Sequence, residues 1–165
     1  MDIRKMGPHE APPIELLLLA DPSVSVIEGY MERGECYIAL VGLEIVGVYV
    51  LLPTRPGMVE LVNVAVVEHL HGQGIGKRLV QHAIARAKAQ GYTTIEIGTG
   101  NSSLHQLGLY QKCGFRIIGV DRDYFIRHYP DPIFENGLQC IDMIRLAQDL
   151  TTDSGCLPGI EMNQE

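Results

Sequence analysis

Residues 61–77 read LVNVAVVEHLHGQGIGK, an apolar run that ends in a glycine-rich loop, His71-Gly-Gln-Gly-Ile-Gly76, followed by Lys77 and Arg78. Nearly every residue from Leu61 to Val67 is apolar, as expected of a strand covered on both faces. Beyond the loop the period changes. Ile75, Leu79, Val80, Ala83, Ile84 and Ala87 fall on one helical face, with Lys77, Arg78, Gln81, Arg86 and Lys88 elsewhere, and Gly91 ends the helix. A strand that enters a helix through glycines is a site for phosphate. Gly72, Gly74 and Gly76 lack a Cβ, so the backbone can turn with positive φ and approach a ligand, towards which the first unpaired N–H groups of the helix point. For such a string taken alone, a tight strand-to-helix turn without a ligand is the competing reading.

Spacing removes two familiar phosphate motifs. A dinucleotide fingerprint needs a third glycine at position 77 or 79, where the chain has Lys77 and Leu79. A P-loop needs a glycine five residues before Gly76 and Ser or Thr after the lysine, where the chain has His71 and Arg78.

At 165 residues the chain has the length of one domain with a real core, expected over 1–150, followed by a polar, acidic tail over 151–165 that frays. Apolar residues make up 46% and charged residues 20%, a globular balance rather than a disordered or fibrous one. The longest apolar runs, such as Ile14 to Ala20, are too short to span a bilayer, and Met1 to Glu10 lacks a signal-peptide plan. A cytoplasmic protein without a membrane partner is expected. The net charge of −7 disfavours nucleic acid, whose binding rests on neutralising phosphates, and mildly favours a cationic small substrate. Cys36, Cys113, Cys140 and Cys156 lack the CxxC pairing of a zinc site, and reduced, packed thiols are expected. His69 and His71 form an HxH pair without a third ligand at readable spacing, so no metal is expected.

The rest of the chain supplies further elements. Ile3 to Met6 reads as a short edge strand. Pro13 opens a helix through Ala20, and Asp21 is expected to cap a second helix, with Pro22 at its first position, that reaches Glu32 and stops at Gly34. Cys36 to Val41 and Glu44 to Leu52 read as a hairpin about Gly42, with a second turn at Thr54 to Gly57 before the strand Met58 to Val67. After the long helix come a strand (Tyr92 to Ile97), a short helix (Ser103 to Lys112) ended by Gly114, and a strand (Phe115 to Val120). Arg122 to Asn136 reads as irregular, and Leu138 to Leu146 as one last strand. The order predicts a mixed sheet with helices on both faces.

The strand ELVNVAV (Glu60 to Val66), the loop HGQGIG, the following helix, the strand IEIGTGN (Ile95 to Asn101) and the segment LYQKCGF (Leu109 to Phe115) appear in the order found in the GNAT family, the GCN5-related N-acetyltransferases. Residues Cys36 to Leu146 resemble that family, whose acetyl-CoA loop reads (Q/R)xxGx(G/A). His71 stands where the family usually has Gln or Arg, and the spacing from Asn101 to Tyr110 is longer than its common pattern. The resemblance implies an α+β fold: a central mixed, mostly antiparallel twisted sheet of about six to seven strands with helices on both faces. It implies acetyl-CoA as co-substrate, with its pyrophosphate on the loop His71, Gly72, Gln73, Gly74, Ile75, Gly76, Lys77 and Arg78. Pantetheine is then expected along Val64, Ala65 and Val66 like an added strand beside a bulge, with Asn101 as a further contact. Lys77 and Arg78 can equally be a solvated helix face.

The resemblance also implies the chemistry. Glu60 matches the position of a catalytic glutamate in some members; a primary amine of pKa about 10 is protonated at neutral pH and needs a base. An ordinary strand-end carboxylate that holds a cationic substrate or a nearby Arg is the competing role. The Val64 N–H is the implied oxyanion donor, and Tyr110 matches the tyrosine that approaches the thioester sulfur. Cys113 lacks a His–Asp partner set and reads as packing, and Tyr124, Phe125, His128 and Tyr129 read as loop packing before acceptor contact. The implied activity is acetyl transfer to a primary amine of a small molecule by direct attack in a ternary complex. A protein N-terminus or lysine is the alternative acceptor, a non-catalytic acyl-CoA sensor the alternative of another class, and a homodimer is the family habit.

Overall fold

The structure is a computed structural model that describes residues 1–151; the tail expected from position 151 therefore lies, beyond Thr151, outside the described residues. A seven-stranded sheet has the order β1-β2-β3-β4-β5-β9-β6. Its strands are β1 (Asp2–Lys5), β2 (Glu35–Val41), β3 (Glu44–Arg55), β4 (Met58–Val66), β5 (Thr94–Gly100), β6 (Arg116–Asp121) and β9 (Met143–Asp149). Only β4 and β5 run parallel, as the intervening helix α3 (Ile75–Ala89) requires; every other neighbouring pair in this sheet is antiparallel. This is the mixed, mostly antiparallel α+β sheet that the sequence implied.

Helices cover both faces. On one side α3 and α4 (Leu104–Lys112) bury Leu79, Val80, Ala83, Ala87 and Tyr110 against Tyr49, Val59, Leu61, Ile95, Ile97 and Leu146. On the other, α1 (Ile14–Ala20) and α2 (Val24–Met31) bury Leu16, Leu17, Ile27 and Tyr30 against Ile38, Val48, Val50 and Ala65. Each fully buried aliphatic side chain contributes roughly 1.5–3 kcal/mol. Polar contacts also join α3 to the sheet: the Tyr49 hydroxyl lies 2.7 Å from His82 Nδ1, with Tyr37 stacked on Tyr49 at 4.8 Å.

Four local expectations are corrected. Asp21 does not cap α2; the Ser23 hydroxyl does, accepting from Val26 N–H at 3.3 Å, because the helix starts beyond the Asp-Pro pair. The turn after β3 is confined to Pro56-Gly57, since β3 continues to Arg55. The region expected to be irregular holds α5 (Tyr124–His128) and β7 (Ile133–Glu135), both too short to show a period in sequence. The single strand expected over Leu138 to Leu146 is two: β8 (Leu138–Cys140), which pairs with β7, and β9.

Asn101 explains that last break. Its Oδ1 accepts from the N–H groups of Ile141 at 2.7 Å and Asp142 at 3.0 Å, and its Nδ2 donates to the Gln139 carbonyl at 3.1 Å. The side chain thus takes up main-chain groups that a continuous strand would pair with a neighbour.

Two irregularities in β4 position everything that follows. Val50 pairs with Asn63 but the next residue, Leu51, pairs with Leu61, so Val62 is an extra residue without a partner on β3. On its other edge β4 pairs with β5 only at Met58, Val59 and Glu60, and beyond Glu60 the two strands separate. Among the described residues no helix is long and apolar enough to cross a membrane.

Asn101→Ala should leave the Ile141 and Asp142 N–H groups without their acceptor, costing about 1–3 kcal/mol. Thermal unfolding should show Tm lowered by about 5 °C. A drop below about 2 °C would mean that water substitutes for the side chain.

Candidate active site

The separation of β4 from β5 opens a cleft of about 950 Å³ through the middle of the sheet. Its first wall is the free edge of β4. Val67 N–H donates to the Val46 carbonyl at 3.0 Å, so in the antiparallel ladder Ala65 and Asn63 also turn their main-chain groups towards β3. Val64 and Val66, the residues between, turn theirs the other way, into the cleft. His71 occupies one of these groups: its Nε2 donates to the Val66 carbonyl at 2.7 Å. The Val64 N–H and carbonyl and the Val66 N–H remain, a short unpaired strand edge suited to an amide-bearing chain.

This edge runs into the glycine loop. Gly72 and Gly74 have φ of +78° and +80°, and a Cβ on either would meet no protein atom within 4 Å. Conformation, and not crowding by the protein, therefore calls for glycine there, and the space is left to a ligand. No main-chain acceptor among the described residues takes the N–H groups of Gly72 to Lys77. They converge at the N-terminus of a fifteen-residue helix, where the helix dipole favours an anion by roughly 0.3–2 kcal/mol.

The bulge decides what faces the cleft on the other side. Before it, Val59 and Leu61 point into the core under α3; after it, Val64 and Val66 pack there, while Ala65 belongs to the opposite core. Val62 and Asn63 consequently share one face, that of α1 and α2, and Glu60 shares it with Val62 by the two-residue period. Glu60 lines the cleft, and its carboxylate has no hydrogen-bond partner among the described residues. Burial raises its pKa above the usual carboxylate value, with Arg145 opposing and Glu96 adding to the shift.

Tyr110 reaches the cleft from α4. It is 7% exposed, stands edge-on to Phe115 with centroids 6.2 Å apart, and its hydroxyl has no protein partner among the described residues. Burial, and secondarily Cys113, raises its pKa, so the hydroxyl stays protonated and can act as a donor.

Beyond Glu60 the cleft is walled by α1, α2 and α5, with Leu18, Tyr30, Tyr124, Phe125 and Tyr129 on its surface. Tyr124, Phe125 and Tyr129 thus line the cleft in addition to packing on one another, Phe125 and Tyr129 stacking at 5.6 Å. Asn63 lies between the layers: its Nδ2 donates to the Leu17 carbonyl at 3.0 Å and to the Tyr30 hydroxyl at 2.8 Å.

Of the sequence-derived candidates, Glu60, Val64, Ala65, Val66, His71, Gly72, Gly74, Ile75, Gly76, Lys77 and Tyr110 line this one cleft. Gln73, Arg78 and Asn101 do not; Arg78 is exposed on the helix surface and Asn101 is engaged by main chain. His69 Nε2 lies 4.0 Å from Glu44, and His71 turns to Val66, so the HxH pair diverges. Burial raises the pKa of Cys36 to about 12 and lifts Cys113 and Cys140 as well, keeping these thiols protonated at neutral pH. Sequence reasoning missed Asn63, Tyr30 and Asp21. The polar Asn63 inside an otherwise apolar strand was the available signal.

The chain is similar to known acetyltransferases. Over 136 residues the chain is 63% identical to "Uncharacterized N-acetyltransferase YvbK" of Bacillus subtilis (strain 168), covering 82% of this chain and 88% of that one. The structure of a GNAT family acetyltransferase from Elizabethkingia anophelis with acetyl-CoA bound superposes with a TM-score of 0.88 at 45% identity, covering 90% and 97% of the two chains. An "IAA acetyltransferase" from Bacillus cereus ATCC 14579 superposes with a TM-score of 0.87 at 55% identity, covering 90% and 98%. Residues 9–115 match the Acetyltransferase (GNAT) family, and the chain belongs to that family.

Proposed function

We propose that this GNAT acetyltransferase moves the acetyl group of acetyl-CoA to a primary amine of a small molecule, by direct attack in a ternary complex. One observation carries the reading: the free β4 edge and glycine loop form one arm of a cleft, an aromatic pocket with a buried carboxylate forms the other, and the two meet beside Glu60 and Tyr110. Helices α1, α2 and α5 wall the second arm, which favours a small acceptor over an extended peptide.

The co-substrate supplies an acetyl thioester. For it, the N–H groups of Gly72 to Lys77 hold the pyrophosphate, and the Val64 and Val66 main-chain groups pair with the pantetheine amides. Glu60, ionised, takes a proton from the acceptor ammonium, directly or through water, and the freed nitrogen lone pair forms the C–N bond as the C–S bond breaks. The Val64 N–H donates to the carbonyl oxygen, whose charge rises in the transfer. The Tyr110 hydroxyl gives its proton to the departing thiolate and regains one from the second proton that the nitrogen sheds on becoming an amide, so that CoA leaves as the thiol.

A panel of amines with acetyl-CoA, read as thiol release with the product identified by mass, tests the proposal; acetylation of peptides alone would contradict it. With an acceptor in hand, Tyr110→Phe should lower kcat about tenfold or more and leave acetyl-CoA affinity within a few-fold. Wild-type turnover in that variant would remove Tyr110 from the mechanism.

Because Glu60 is a base only when ionised, its raised pKa moves the acidic limb of the pH–rate profile above the ordinary glutamate range. Glu60→Gln should abolish that limb and lower kcat, with recovery towards high pH, where more of the amine is already neutral. The same shift affects stability. The native state holds the Glu60 proton more tightly than the unfolded chain, so the contribution is present at low pH and lost as pH rises through the native pKa. Glu60→Gln should therefore raise Tm at neutral pH while it lowers turnover; unchanged rate, Tm and pH profile would defeat both roles.

A further inference from the structure

We infer that Asp21 is a second cation-reading carboxylate in the acceptor pocket, so that the preferred acceptor is an amine carrying a second positive charge. This rests on the small-amine reading and adds what stands at the other end of that molecule.

Asp21 closes α1 and lines the cleft while only 9% exposed. Two donors reach it, the Ser23 N–H at 3.1 Å and the Tyr129 hydroxyl at 3.2 Å, and both fall on Oδ1. No donor among the described residues reaches Oδ2, and no cationic side chain among them lies within ion-pair distance of the carboxylate. A carboxylate held in position by neutral donors, with one oxygen left over, is built to receive a cation.

A second observation points the same way: around Asp21 stand the rings of Tyr30, Tyr124, Phe125 and Tyr129, whose faces attract cations. Tyr124 lies in the field of both carboxylates: burial raises its pKa, Arg145 opposes, and Glu60 and Asp21 add to the rise. Arg145, 5.9 Å from the Tyr124 ring, is itself bonded to Asp121 at 3.4 Å. The lysines that line the cleft, Lys77 and Lys112, come from α3 and α4 at the cofactor arm. The acceptor arm thus presents carboxylates at two places, Glu60 beside the transfer point and Asp21 beyond it.

The test compares α,ω-diaminoalkanes of increasing length with n-alkylamines of the same length. Calorimetric titration of the CoA-bound protein gives Kd, and thiol release from acetyl-CoA gives kcat/KM. At its best length the diamine should be favoured about tenfold or more in both measures. In Asp21→Asn the ratio of diamine to monoamine should fall towards one, chiefly through KM, and Tyr129→Phe, which frees Oδ1, should shrink it in part. Taking the ratio within each variant removes any general loss of folded protein. Equal use of monoamines and diamines by the wild type, or an undiminished ratio in Asp21→Asn, overturns the inference and leaves the small-amine reading standing. Failure of every amine to bind or react while acetyl-CoA still binds sinks that reading and the inference with it.

Discussion

Because Val62 has no partner on β3, the side-chain alternation of β4 changes face between Leu61 and Asn63. A regular strand would drive the Asn63 amide into the apolar layer under α3, at a cost of about 1–3 kcal/mol for unpaired polar groups. With the bulge, Asn63 instead reaches the Leu17 carbonyl and the Tyr30 hydroxyl and ties α1 and α2 to the sheet. The same irregularity adjoins the point where β4 leaves β5, just after Glu60. Cofactor edge, candidate base and acceptor wall therefore all depend on one extra residue.

The two arms of the cleft carry opposite chemistry. The arm proposed for the co-substrate offers N–H donors without acceptors, and the arm proposed for the acceptor offers the Glu60 and Asp21 carboxylates. A chain of net charge −7 can hold an anionic co-substrate because distant charges are screened over about 8 Å at physiological salt, whereas the loop donors act at hydrogen-bond distance. At the junction stands Glu60, whose charge is costly in the fold and is the one the proposed reaction uses as base.

Much of this was legible in the sequence. The strand, loop and helix from Met58 to Ala89 showed because each has a strong local signature: β-branched density, closely spaced glycines, then a helical period. The two-sided burial read for Leu61 to Val67 was half right. Val62, Val64 and Val66 are partly exposed, since no neighbouring strand follows β4 past Glu60. Asp21 was legible only as a cap, because the Tyr129 hydroxyl that engages it lies 108 positions away. Asn101 reads as a cofactor contact by its place in IEIGTGN, but the segment that claims its amide, residues 139–142, gives no local sign of the break in the strand. His71, which departs from the family pattern, found a use that no motif records, on the Val66 carbonyl.

Amide hydrogen exchange resolved by residue, with and without acetyl-CoA, tests most directly whether the free β4 edge receives the co-substrate. The Asn63 and Ala65 amides, turned to β3, should be protected in both states. Those of Val64 and Val66 should exchange readily in the free protein and become protected when acetyl-CoA binds. Val64 and Val66 amides already protected in the free protein, or unaffected by saturating acetyl-CoA, would contradict the assignment of this edge.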